Sequence, residues 1–412
     1  MRRLTLLVIA LLALAPATAV GQDEAAMVKR LARYMRGAGA YSGAYVVDVS
    51  GDSPRAIFRW RQQTPRILAS NTKLFTTTAA LSRFGVEGTL GTDVLGTGEV
   101  DSEGVFRGSI YLRGGGDPTF GSRHFTRSSY GGGATVQDLA TLLQDAGIER
   151  ISGRVYGDES AFDSLRGGPD SGYGVSTWVG PLSALSYNRG LFTETGRGFQ
   201  ASPPAFAAAR LDDALEAAGV TVRLRPRVGV TPAGARVLAS VESPPMERLI
   251  RLTNKPSDNF FAEMLLKDLA LYSGGAGTTA AGAKVAAAHA RALGARATLM
   301  DGSGLSRGNR GSPLSIVRLL SAMYRSDDYD PFVGSLAIAG SDGTLFDRMR
   351  RGPAHRHCVG KTGTLSNVSA LSGYCEALSG ENYAYSILMN GVYPPGARKL
   401  QNLMLQAISG FG

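Results

Sequence analysis

The chain has 412 residues, 43% of them hydrophobic and 19% charged, which is ample apolar material for a core and excludes disorder. Its length predicts two or three domains, and its 54 glycines follow no G-X-Y period, heptad or solenoid repeat, so collagen, coiled-coil and repeat architectures are excluded. The net charge of +10 comes mainly from Arg, spread along the chain without runs; no basic helix or aromatic-interleaved patch marks a nucleic-acid surface, and no nucleic-acid partner is expected.

In chain order, Met1-Arg2-Arg3 precedes an apolar run from Leu4 to Leu14 and the small-residue exit Ala17-Thr18-Ala19. A positive start, a short apolar centre and an A-x-A exit predict a secretory signal peptide over 1–19. That run is too short to span a bilayer, and no later segment reaches ~18 apolar residues. The mature chain is therefore expected to be exported, soluble in a periplasm or outside the cell, with no integral membrane span.

The spacing predicts a helix over 24–36, strands over 43–49 and 56–60, and a helix from Ser70 to Leu81. From about 91 to 241 short strands (109–113, 150–156, 220–224, 237–241) alternate with Gly-rich turns, interrupted by helices over 136–145 and 204–218. Beyond Ser243-Pro244-Pro245 the chain turns helical, over 246–253, 259–272, 284–293 and 313–325, the last capped by Ser312. Strands over 358–364, 370–377 and 384–390 and a helix over 399–408 complete it. Strands at both ends with helices between them describe one α/β domain, 20–90 plus 244–412, split by an inserted β-rich region over 91–243.

Several tempting motifs fail. Gly360-Lys361-Thr362 resembles the end of a phosphate-binding loop, but His355 stands where that loop needs Gly. His355 and His357 have no second cluster to complete a ligand set, so no metal and no cofactor is expected. There is no G-x-S-x-G elbow for a Ser-His-Asp triad. Cys358 and Cys375, the only cysteines, lie symmetrically about Ser366-Asn367 between alternating apolar stretches; a cross-strand disulfide and two free thiols both fit.

A Ser-Lys arrangement survives. Lys73 stands three residues after Ser70, so a helix places both on one face. A serine hydroxyl is a weak nucleophile until a base takes its proton, and a buried lysine can be that base. Ser257-Asp258-Asn259 heads a helix with a hydroxyl for proton relay and an amide for a substrate carbonyl. Lys361-Thr362-Gly363-Thr364 offers an ammonium and hydroxyls to a carboxylate, with Gly363 admitting a close backbone. The order S-x-x-K, S-D-N, K-T-G is the set tied to penicillin-binding proteins and serine β-lactamases. Ser186-Tyr187-Asn188 also reads S-x-N, but it lies in the insert, and Ser257 is preferred.

With these motifs the chain resembles the low-molecular-mass penicillin-binding proteins of the D-alanyl-D-alanine carboxypeptidase/endopeptidase type, the DacB-like group of peptidase family S13. Further strings carry the resemblance, among them Gly115-Gly116-Asp117-Pro118-Thr119 and Asp301-Gly302-Ser303-Gly304-Leu305-Ser306-Arg307. The gap between Lys73 and Ser257 is short for the group. The resemblance implies a transpeptidase-like domain, an antiparallel sheet flanked by helices, with a β-rich insert. It implies an acyl-enzyme on Ser70, Lys73 as its base, and Ser257 in proton transfer. Asn259 would hold the acyl side and Lys361, Thr362 and Thr364 the terminal carboxylate, Lys361 also keeping Lys73 neutral. The oxyanion hole would be the backbone N–H groups of Ser70 and Thr364, with Asp301 and Ser306 on the cleft wall. Peptidoglycan stem peptides would be the substrates and β-lactam antibiotics the covalent inhibitors. Two rivals remain: a β-lactamase or esterase on the same fold, for which no E-x-x-x-N string supplies a deacylating base, and a wall-binding protein without catalysis.

Overall fold

A computed structural model describes residues 18–412, with side chains from Glu24 onward; the signal-peptide expectation over 1–19 falls, but for its last two residues, outside them. The first helix, α1 (Thr18–Gly37), buries Met27, Leu31 and Met35, a stripe at four-residue spacing. It leads into β1 (Ser42–Asp48), β2 (Arg55–Trp60) and the short β3 (Arg66–Ile67). A single 3₁₀ turn, Ala69–Asn71, then runs into α2 (Thr72–Phe84). Every residue of α2 from Thr72 to Leu81 is buried, so only its last turn, at Ser82 and Arg83, meets solvent. Its threonines remain satisfied there: Thr77 Oγ1 donates to Lys73 O at 2.7 Å, Thr78 Oγ1 to Leu74 O at 2.8 Å and Thr76 Oγ1 to Gly302 O at 3.0 Å.

The next stretch holds β4 (Gly91–Gly96), β5 (Val105–Phe106), β6 (Ile110–Gly114), α3 (Arg123–Tyr130), α4 (Val136–Asp145) and β7 (Arg150–Asp158). It continues through α5 (Pro203–Ala217), β8 (Thr221–Val228) and β9 (Arg236–Glu242). Then come α6 (Met246–Asn254), α7 (Asn259–Leu271), α8 (Thr279–Ala292), β10 (Ala297–Thr298), β11 (Arg310–Gly311), α9 (Pro313–Tyr324) and α10 (Tyr329–Gly334). The chain closes with β12 (Ala337–Ile338), β13 (Cys358–Leu365), β14 (Val368–Glu376), β15 (Asn382–Asn390) and α11 (Pro394–Ser409).

Among the described residues one sheet runs β12-β13-β14-β15-β1-β2, antiparallel throughout, so that strands from both ends of the chain meet at the β15–β1 pair. Its two faces bury different partners: α2, α6, α7, α8 and α9 supply the larger core, and α1 with α11 the smaller. The second large sheet lies within 91–242. In it β4 pairs antiparallel with β6 and β9, while β5, β6 and β8 all run parallel to β7. Parallel neighbours need a crossover, and α3 with α4, then α5, provide it. Helices α4 and α5 cover one face with their own core, Leu139, Leu143, Leu211 and Leu215 included, while Phe125 and Tyr130 of α3 pack into the larger core. The stretch is thus more α/β than the alternation of strands and Gly turns indicates. It enters through β4 and leaves through β9, with Gly91 opposite Glu242.

Helices α4 and α9 fall where the periodicity puts them, to within a residue at each end, and Ser312 caps α9 by accepting from Ser315 N at 3.1 Å. Helices α8 and α11 each start five residues earlier than expected. Thr278 caps the first, and Pro394 occupies the first turn of the second, where proline costs no hydrogen bond.

Cys358 and Cys375 face each other across the β13–β14 hairpin, fully buried and joined as a disulfide, at the end away from the Ser366-Asn367 turn. A bridge closing a loop of this length contributes about 3 kcal/mol. Replacing both cysteines by Ala is expected to lower the unfolding free energy by about that amount in denaturant titrations, and reductant is then expected to have no further effect.

Candidate active site

Ser70 sits in the 3₁₀ turn that opens α2, held from two sides by glycines. A Cβ on Gly363 would lie 3.0 Å from both Ser70 N and Leu68 O, and one on Gly304 would lie 1.9 Å from Ala69 O. Ala69 itself has φ 47°, a left-handed conformation rare outside glycine and paid for by this close packing. Asn71, between the two motif residues, ties the turn to the sheet: its Nδ2 donates to Lys361 O at 2.9 Å, and its Oδ1 accepts from Ser372 Oγ at 2.6 Å.

Lys73 is fully buried. Its Nζ donates to Ser303 O at 2.6 Å, to Asn259 Oδ1 at 2.7 Å and to Ser70 Oγ at 3.3 Å. Burial lowers its pKa from 10.5 to about 8, against the opposing charges of Asp258, Glu263 and Asp301. A neutral amine has two N–H donors and one lone pair. The two short bonds use the donors and leave the lone pair at Ser70 Oγ, so the geometry suits an amine that can receive the hydroxyl proton.

Asn259 is the first residue of α7, whose N-cap Asp258 accepts from Phe261 N at 3.0 Å. Asn259 Nδ2 donates to Trp178 O at 3.1 Å, and Arg189 forms an ion pair with Asp258 while lying over the Phe260 ring. Both partners come from the stretch between β7 and α5. Ser257 is half-buried, has φ 63°, and faces the same cleft as Ser70. Ser186, by contrast, is buried in a turn and donates to Ser183 O at 3.0 Å, and Asn188 Oδ1 accepts from Ser122 N at 2.8 Å; this second S-x-N is structural.

Strand β12 pairs only with Val359 and Gly360, so from Lys361 onward β13 has an open edge against which the Ser70 turn packs. Thr362, Gly363 and Thr364 line the cleft along that edge, and Thr362 Oγ1 donates to Thr344 Oγ1 at 2.8 Å. Lys361 lies elsewhere. Its ammonium is fully buried, donates to Thr362 O at 2.9 Å, and is pushed well below its ordinary pKa by burial and by the charge of Lys73. Asp301 is not on the wall as expected. It is buried beneath the cleft, accepting from Gly304 N, Ser306 N and Asn309 Nδ2, and Leu305 takes the wall position. Glu263 accepts from the N–H groups of Gly302 and Ser303, which aims the Ser303 carbonyl at Lys73.

The cleft so formed encloses about 880 Å³, with Ser70, Ser257 and Asn259 on one side, Thr362–Thr364 on the other, and the exposed Trp178 at its rim. A sequence profile of the D-Ala-D-Ala carboxypeptidase 3 (S13) family matches residues 25–195 and 193–409. The chain belongs to this family. It is a serine-type peptidase, a hydrolase, as the motif order implies. Among the relatives, the D-alanyl-D-alanine carboxypeptidase of an Actinomadura strain is 29% identical, over 88% of this chain and 80% of that protein. The carboxypeptidase DacB of Mycolicibacterium smegmatis is 30% identical, over 84% and 76%. The fold matches that of penicillin-binding protein 4 from Haemophilus influenzae, with a TM-score of 0.73 at 20% identity, covering 92% of this chain and 98% of that one. A predatory endopeptidase of Bdellovibrio bacteriovorus matches at a TM-score of 0.55 and 18% identity, over 89% and 92%. The S13 motifs thus sit on a mixed α/β fold shared with known penicillin-binding proteins.

In this S13 peptidase a side chain at Gly363 would press on the Ser70 turn, its Cβ 3.0 Å from Ser70 N and 3.1 Å from Ala69 Cβ. Gly363→Ala is expected to displace the turn and lower peptidase activity, read as kcat/KM, at least 10-fold, with the far-ultraviolet circular dichroism unchanged.

Proposed function

We propose that this protein is an exported DD-peptidase that cleaves the bond between the last two D-alanines of peptidoglycan stem peptides, or the equivalent D-alanyl cross-link, through an acyl-enzyme on Ser70. The observation that carries this reading is the buried Lys73 amine, with both donors of its neutral form occupied and its remaining position at Ser70 Oγ on the floor of an open cleft.

Ser70 Oγ attacks the carbonyl carbon as its proton passes to Lys73. The tetrahedral oxygen is received by the backbone N–H groups of Ser70 and Thr364, a type of donor pair that supplies about 3–4 kcal/mol of barrier lowering. As the C–N bond breaks, the proton held by Lys73 passes through the Ser257 hydroxyl to the leaving amine. Asn259 holds the acyl side, and Thr362 and Thr364 face the terminal carboxylate with the buried Lys361 behind them. Lys361 and Lys73 lie close enough that a proton on one disfavours a proton on the other, which favours a neutral Lys73. Water then attacks the ester, giving its proton back through Lys73 to Ser70 and releasing the shortened peptide. A β-lactam enters the same sequence at the first step, and its tethered leaving group stays in place. Support comes from the relatives, which are named as carboxypeptidases and endopeptidases, and from a Bdellovibrio endopeptidase of this fold solved in a penicillin G-acylated form.

Intact mass after incubation with benzylpenicillin is expected to show one stable adduct on the wild-type chain and none on Ser70→Ala. Consumption of the drug without an adduct makes the protein a β-lactamase; an intact drug and no adduct leaves the wall-binding reading. The pH dependence follows from the base: Lys73 works unprotonated, so acylation is expected to rise with pH through about 8. At pH 7.5 about a quarter of such a lysine is neutral, against about one in a thousand with an ordinary lysine. A rate independent of pH between 6.5 and 9 removes Lys73 as the base.

A further inference from the structure

Beyond Gly363 the cleft runs on along the open edge of β13, and its far wall carries two arginines. Arg398, in the second turn of α11, is exposed to the cleft, and its Nη2 donates to Thr364 Oγ1 at 3.1 Å. Arg348 lies beside it, only 9% exposed. Its Nε and Nη2 donate to Asn402 Oδ1 at 2.9 and 2.8 Å, and Nη2 also reaches Gln401 Oε1 at 3.1 Å and Arg398 O at 3.4 Å. Every one of these acceptors is neutral, and among the described residues neither guanidinium has a carboxylate within ion-pair distance. Asp347 is the one acid on this wall, so the wall keeps a net positive charge beside the hydroxyls of Thr344, Thr362 and Thr364. A nearly buried cation without an acid partner is costly to keep.

The position fits one group of the substrate. Gly363 packs on Ser70 N, and Thr364 is the next residue along the strand, ~3.3 Å further. In a D-alanyl-D-alanine end, the α-carboxylate of the leaving residue lies two bonds beyond the scissile nitrogen, about that far from the attacked carbonyl. Lys361 is not on the cleft wall; its ammonium is buried and donates to Thr362 O at 2.9 Å.

Resting on the reading above, we propose that Arg398, with the Thr364 hydroxyl, is the residue that reads the α-carboxylate of the leaving amino acid, and that Arg348 positions it by anchoring α11. A guanidinium fork and a hydroxyl make a directional carboxylate receptor, where a lysine offers only a point charge. The arrangement selects substrates whose leaving residue carries a free α-carboxylate and disfavours those in which it is amidated.

The test compares an N-acylated D-alanyl-D-alanine with its C-terminal amide, as steady-state substrates of the wild type, Arg398→Gln, Arg398→Lys and Arg348→Gln. The wild type is expected to prefer the free acid. Arg398→Gln is expected to lose about 10- to 100-fold in kcat/KM on the acid, mainly through KM, with the amide unchanged, and Arg398→Lys to recover part of the loss. Arg348→Gln is expected to shift the preference in the same direction by a smaller factor. An Arg398→Gln protein that keeps the preference, or that loses equally on acid and amide, overturns the assignment alone. Equal losses in Arg348→Gln remove its positioning role. A wild type that hydrolyses neither substrate and takes up no penicillin overturns the parent reading and this assignment with it.

Discussion

Burying an ammonium costs several kcal/mol unless its hydrogens find acceptors, and the burial of Lys73 inside α2 sets the terms for everything around it. Its acceptors come from three segments far apart in sequence: the turn at Ser70, the head of α7 at Asn259, and the loop carbonyl of Ser303. Each is in turn held by groups of its own. Asp258 caps α7, while Glu263 and Asp301 gather the N–H groups of the loop from Gly302 to Ser306. The cost of one buried amine therefore explains why three segments converge, and why the loop has Gly302, Ser303 and Gly304 where it approaches α2. Only small residues let its backbone come within reach.

Helix α7 is also where the region around α2 meets the stretch between β7 and α5. Asn259 and Asp258 are gripped by Trp178 O and Arg189, from the stretch between β7 and α5. Helix α7 carries further ties in that direction: Lys267, wholly buried, pairs with Asp163 at 2.5 Å, and Tyr272, in the residue after the helix, donates to Gly115 O at 3.0 Å. The helix that presents the amide to Lys73 is thus clamped along its length by the stretch that shapes the rim of the cleft. The rim of the cleft at Trp178 and its floor at Lys73 thus share one element, α7.

Much of this was open to reading from the residues. Three-residue spacing alone puts Ser70 and Lys73 on one face, and Ser312 or the alternation around Cys358 and Cys375 announces its element locally. What could not be read shares a single property, that it depends on partners distant in sequence or on backbone atoms. Ser303 acts through its carbonyl, which no motif records. Arg189 is one arginine among many until the fold sets it on Asp258. Helix α3 is short and polar, with only the Ser122 cap to mark it. Lys361 reads as a cleft cation because its motif neighbours line the cleft, but alternation along β13 turns its side chain inward, toward Lys73, and leaves the neighbouring threonines to face the opening. Arg398 stands more than thirty residues from the motif it adjoins, and nothing local singles it out.

The seam at β4 and β9 carries a consequence for the cleft. Because Gly91 and Glu242 are direct cross-strand partners, the chain leaves and re-enters the region around α2 and α6 at points only ~5 Å apart. Whatever lies between them can grow, shrink or be exchanged without moving either end, much as a cartridge is changed in a fixed holder. The exchange is constrained, since any replacement must again offer a carbonyl to Asn259, a cation to Asp258, a carboxylate to the buried Lys267 and an acceptor to Tyr272. Changes within this stretch can thus alter the walls of the cleft while α2 and the Ser70 turn keep their place.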